Sequence, residues 1–275
     1  MKFFCANRCI YTEFIMTMFD VLGGVELTAS AAIVISAVSL GFGLNKLARS
    51  GLATALTVWF AAVVILAATG ALGYEHGIGI GGVGLAVLIP IIALWAGVLR
   101  LPSLRAGLER VSLPSLIAAH AVRIAGISLI VLYAQGRLPA PFAPLAGWGD
   151  ILAGAFAIPV ALLVARRGTA WQAALWTWNV FGLADLVTAV TLGVLSSPGP
   201  LRRIFAEPGS GIMSTLPWLL IPGFLVPLLI IIHLTIFHRL MYSTADSSSG
   251  MPSTRPYLTG NRISNSDLSE SGINR

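Results

Sequence analysis

Seven runs of eighteen or more largely apolar residues divide this chain, and no other feature limits its fold so strictly. They are Leu27–Asn45, Leu52–Gly73, Ile78–Leu99, Leu113–Ala134, Trp148–Ala165, Trp171–Leu195 and Leu216–His238. Each is long enough to cross the roughly 30 Å of a bilayer's hydrocarbon as a helix. With 56% hydrophobic residues, 10% charged residues and a mean hydropathy of +0.87, the chain lies outside the range of soluble domains. The fold class read from the sequence is all-α, a polytopic transmembrane bundle of about seven spans. Short polar or Pro/Gly-bearing connections make one bundle over residues 27–240. Residues 1–26 read as an external or interfacial N-terminal segment. The Ser, Thr, Asn and Gly-rich stretch 241–275 reads as a disordered cytoplasmic tail, too poor in apolar groups to fold alone.

The net charge of +6 would suggest nucleic acid in a soluble protein, but these basic residues sit at span ends, where they set orientation. Placing the loops after spans 1, 3 and 5 and the end of span 7 on one side collects Lys46, Arg49, Arg100, Arg105, Arg110, Arg166, Arg167 and Arg239. The opposite side collects Lys2, Arg8, Arg137, Arg202 and Arg203. This bias favours an external N-terminus and a cytoplasmic C-terminus, with the Arg202-Arg203 pair as its weak point. Trp148 and Trp218 at one face and Trp95 and Trp171 at the other fit interfacial belts. No nucleic-acid partner is expected; the bilayer is, and oligomeric state is left open.

Polar groups inside hydrocarbon are costly, so their positions are the functional signal. In "HAVR", His120 and Arg123 are three apart and share a helix face, roughly 10 and 15 Å from the start of span 4. Asp185 in "WNVFGLAD" is the expected partner of Arg123, and Asp150 in "GWGD" the alternative. His233, on the proline-bearing seventh span, lies at a depth matching His120, and Asn179 falls in the same slab. Pro217, Pro222 and Pro227 are expected to kink that span and free backbone carbonyls. His76 and His238 read as interfacial.

Other motifs carry less. "GIGIGG" at Gly77 to Gly82 has dinucleotide-fingerprint spacing, but no strand precedes it, so close packing through small residues explains it better. Cys5 and Cys9 read as an unpaired pair in a frayed terminus, with an external disulfide as the alternative. Lysine occurs only at Lys2 and Lys46, which excludes a Schiff base within the membrane. No span carries G-x-S-x-G, and the deep His and Asp positions do not form an evident zinc triad. An enzyme is therefore not the expectation, and which metal, if any, is left open.

From His120 onward the succession "HAVR", "GWGD", "WNVFGLAD" and "IPGFLVPLLIIIH" resembles a family of uncharacterised bacterial polytopic membrane proteins. The resemblance implies a bacterial inner membrane and carries no activity, substrate or catalytic residue. From the residues themselves, the expected function is a small-molecule transporter or sensor with His120, Arg123, Asp150, Asn179, Asp185 and His233 as ligand-binding positions. Arg123 would hold a polar or anionic group and Asp185 would couple to a proton. The alternatives are a structural or accessory membrane subunit held by ion pairs and a haem protein with His120 and His233 on opposite sides of the iron. No other cofactor is called for.

Overall fold

The computed structural model describes residues 2–42, 45–73, 77–167 and 171–248, with side chains from Met18 to Met241 within those ranges, Ile80 excepted. His76, residues 249–275 of the tail and the side chains of Cys5 and Cys9 lie outside the described residues. Among the described residues there are helices and no strands. Seven helices are long and apolar enough to cross a membrane: span 1, Met18–Gly41; span 2, Lys46–Ala68; span 3, Gly81–Arg100; span 4, Leu113–Ala134; span 5, Phe142–Arg166; span 6, Trp171–Ser196; and span 7, Ile221–Met241. A bridging helix, Pro102–Arg110, lies between spans 3 and 4.

Local chemistry sets the span ends. The Asn45 side chain accepts from the Ala48 N–H at 2.8 Å and Ser112 Oγ accepts from the Ser115 N–H at 3.1 Å, each satisfying a donor that the first helical turn leaves over. Proline stands in the first turn of both the bridging helix and span 4, where its missing N–H is not needed. In "GIGIGG", Gly77 and Gly79 lie in the loop between spans 2 and 3, while Gly81 and Gly82 open span 3 against Ile78 and Leu72 of that loop. Gly79 takes φ +65° as it opens the third helix, and a Cβ on Gly82 would lie 2.6 Å from the Leu72 side chain.

The boundaries of spans 1, 2, 5 and 7 differ most from the sequence reading. The first helix runs unbroken from Lys2, and its apolar span starts at Met18, which brings Asp20 and Glu26 into it. Span 7 starts at Ile221, so Pro217 precedes the span instead of kinking it. Trp218 is fully buried, stacked on Phe19 with ring centroids 5.5 Å apart, and donates to Asp20 at 3.0 Å. It plugs the bundle end and is not a belt residue; Trp148, 58% exposed, does face outward.

Two spans depart from α-helix where the polar residues lie. In span 4 the stretch Ala119–Gly126 is wound as a 3₁₀ helix, far longer than the three or four residues usual for that form. Span 7 opens with a π-helical turn, Ile221–Leu225, that contains Pro222. Span 7 is also the most enclosed span and span 2 among the most exposed. A continuous apolar core extends from Leu27 on span 1 to Leu240 on span 7.

Candidate functional site

The 3₁₀ winding explains how span 4 presents its polar groups. With three residues per turn, positions i, i+3 and i+6 superimpose along the axis. His120, Arg123 and Gly126 therefore form one column, and all three are buried. An α-helix would rotate each successive member by about 60° away from the last.

Arg123 is the hub. Its Nε donates to Asp150 Oδ1 at 2.7 Å from span 5, and its Nη2 donates to Asp185 Oδ2 from span 6. Its Nη1 donates to the Gly182 carbonyl at 3.1 Å and lies 3.3 Å from His233 Nε2. The guanidinium side chain is 1% exposed, against 13% and 10% for the Asp150 and Asp185 side chains. Both aspartates weighed from the sequence are thus partners at once, because a guanidinium offers donors on two edges.

The surrounding bonds fix the imidazole of His233. Its Nδ1 is 2.7 Å from Asn179 Oδ1, while Asn179 Nδ2 donates to the His233 carbonyl at 3.2 Å. Since the amide oxygen only accepts, His233 carries its hydrogen on Nδ1, and Nε2 presents a lone pair to Arg123. His120 packs on the same ring with centroids 4.1 Å apart and sits edge-on to Trp178 at 5.1 Å. Trp178 is held in turn by the Ala153 carbonyl at 2.9 Å. Neither nitrogen of His120 has a hydrogen-bond partner among the described residues, although the residue is fully buried.

All six side chains singled out from the sequence therefore meet in one cluster. What sequence reasoning missed is the glycine set that lets the backbones close around it. A Cβ on Gly182 would sit 2.6 Å from His233 Cε1 and 3.0 Å from Arg123 Nη1. One on Gly126 would sit 2.5 Å from Asp150 Cβ, one on Gly154 would lie 2.7 Å from the Ile124 amide, and one on Gly149 would overlap the Asp185 carboxylate. The signal was available in "GWGD" and "FGLAD", where glycine stands three residues or fewer before each acid. Glu26, which accepts from Ser128 at 2.5 Å between spans 1 and 4, was missed because span 1 was begun one residue too late to include it.

A narrow, almost wholly apolar cavity of about 60 Å³ reaches the cluster, room for a few water molecules. Its walls include Val83 and Val87 of span 3, Leu186 and Val190 of span 6 and Ile221 of span 7, and Asp150 also lines it. Ser197 and Ser210 line it too, their hydroxyls 2.7 Å apart and each within hydrogen-bond distance of the Gly193 carbonyl.

The histidine pair does not fit a haem held from both sides. Rings 4.1 Å apart leave no layer for a porphyrin between them, and both nitrogens of His233 are spent on Asn179 and Arg123. Among the described residues no three His, Cys, Asp or Glu side chains converge as a metal set.

Seven apolar helices closed around a buried ionic cluster define a multi-pass α-helical membrane protein. Residues 80–241 match the family described as a domain of unknown function, DUF8737, and the chain belongs to it. The matched region covers spans 3 to 7 and hence the whole cluster. No curated protein and no solved structure matches the chain.

Proposed function

We propose that the protein is a carrier or sensor of a small molecule in a bacterial inner membrane, with the N-terminus outside and the tail cytoplasmic. Its ligand site is the Arg123 cluster, approached along the cavity lined by Asp150.

One observation carries this reading: one guanidinium faces two carboxylates, and one of those carboxylates lines a cavity. With both acids ionised the cluster holds one uncompensated negative charge, and an unpaired buried charge costs several kcal/mol. Taking up one positive charge removes that cost, so a proton and a cationic ligand compete for Asp150. The groups facing Asp150 support this reading. Span 4 supplies Arg123 and the neutral-capable His120, span 6 supplies Asp185, span 7 supplies His233 through Arg123, and span 3 contributes only apolar cavity wall. The polar or anionic ligand expected at Arg123 is disfavoured, because four of the five guanidinium N–H groups already have acceptors. A small cation with an apolar body, of the alkylammonium class, suits a narrow apolar passage ending on a carboxylate.

Calorimetric titration of tetramethylammonium into the purified protein in lipid nanodiscs tests this. Saturable binding that strengthens as pH rises and is lost in Asp150→Asn supports it; no binding across the pH range overturns it. Reporter fusions at Gly136 and Ser248 test the orientation, and a periplasmic signal from the Ser248 fusion would reverse it.

The near-saturation of the guanidinium and the tight glycines also favour a second reading, an accessory subunit in which the cluster only locks helix register. Under that reading Asp150→Asn lowers stability while the wild type binds no cation.

A further inference from the structure

A second polar feature lies toward the C-terminal end of span 7. There the bridging helix Pro102–Arg110 packs across the ends of spans 3 and 7, and a groove runs between them. Its floor is apolar, with Ile91, Leu94, Val98 and Leu234 partly buried and Ile231 buried. Its rim carries Arg105, His238 and Arg239, against a single acid, Glu109, which pairs with Arg105 at 3.1 Å. Trp95, 40% exposed, stands beside them at the depth where a span meets the headgroups.

Arg239 supplies the observation that points to a ligand. Its two terminal nitrogens donate to the Leu108 and Val111 carbonyls, which fixes the guanidinium against the end of the bridging helix. Its Nε–H is buried and has no acceptor among the described residues. A buried donor without a partner asks for an acceptor that the chain does not provide. Arg100 and Arg110, both exposed, flank the bridging helix and add positive charge to the same layer.

We propose that this groove binds an anionic phospholipid, its phosphate at Arg105 and Arg239 and one acyl chain along the apolar floor between spans 3 and 7. The occupant follows from charge and place. The rim is basic, the floor is apolar, and a groove at a span end is bathed by the lipids of that leaflet. Arginine meets phosphate oxygens with paired, directional donors. An aqueous anion would satisfy the rim but leave the floor unfilled.

Exchange of spin-labelled phosphatidylglycerol against phosphatidylcholine on the full chain in mixed-lipid nanodiscs reads the preference directly. Wild type should favour phosphatidylglycerol, and Arg105→Gln should reduce that preference by roughly fivefold, the effect of one basic side chain near a lipid surface. Leu94→Trp, which fills the floor and leaves the charges in place, should abolish the immobilised component for both lipids. Arg49→Gln, an exposed arginine outside the groove, should change nothing. Equal affinity for the two lipids, an Arg49→Gln effect as large as that of Arg105→Gln, or displacement of the labelled lipid by inorganic phosphate alone would overturn the assignment.

Discussion

Replacing Arg123 by leucine removes one charge and strands four groups. The side chain is 1% exposed, and its loss leaves the Asp150 and Asp185 carboxylates without their counter-charge and the Gly182 carbonyl and His233 Nε2 without a donor. Breaking a buried ion pair by deleting one partner costs about 3–5 kcal/mol, mostly because the remaining charge stays buried. With two carboxylates stranded the upper part of that range applies, partly relieved by water drawn in along the cavity at Asp150. The decisive comparison is the triple variant Arg123→Leu/Asp150→Asn/Asp185→Asn, which removes all three charges and keeps the shape of both acids. It should recover more than half of the loss, since a neutral cluster has no uncompensated charge. Unfolding in mixed detergent micelles, followed by helical circular dichroism as the denaturing fraction rises, measures all three proteins. Wild-type stability in Arg123→Leu, or a triple variant no more stable than the single, would refute the argument that charge compensation holds spans 4, 5 and 6 together.

Three further outcomes follow from the same geometry. Gly182→Ala puts a methyl group 2.6 Å from His233 Cε1 and should cost about 1–3 kcal/mol as the ring or span 6 shifts; unchanged unfolding would mean that spans 6 and 7 are not in this contact. Nitrogen NMR of histidine-labelled protein should show His233 with its hydrogen on Nδ1, and Asn179→Leu should weaken that preference, leaving only the Arg123 donor at Nε2 to hold it; an Nε2–H tautomer in the wild type would contradict the bond to Arg123. Trp218→Ala empties a fully buried site and should destabilise by about 3–5 kcal/mol, whereas a lipid-facing tryptophan would cost far less.

The count of spans was legible because apolar length is a local property of the sequence, and so was the convergence of His120, Arg123, Asn179, Asp185 and His233, because helical rise puts them at similar levels along the bundle. The partners followed from the cost of a lone charge in hydrocarbon, which forces each one inward. Less legible was anything set by tertiary contact. The 3₁₀ winding of Ala119–Gly126 has no signature in "AHAVRIAG"; it aligns His120, Arg123 and Gly126 toward three neighbouring helices, and only those neighbours reward it. Trp218 read as interfacial because its sequence position is at a span end, whereas Phe19, Asp20 and Gly23 on span 1 close over it. Arg202 and Arg203 weakened the charge-bias argument. In the structure Arg202 bonds the Ile204 and Ala206 carbonyls and Glu207, and Arg203 bonds the Pro200 carbonyl, so both brace their own loop.

Under the proposed function a proton and a cation exchange on the excess negative charge at Asp150. A pH-indicator dye in weakly buffered nanodisc solution reads it directly when tetramethylammonium is added to saturation. The wild type should release about one proton per cation bound, and Asp150→Asn none. Cation binding by the wild type with no change in proton occupancy would contradict it.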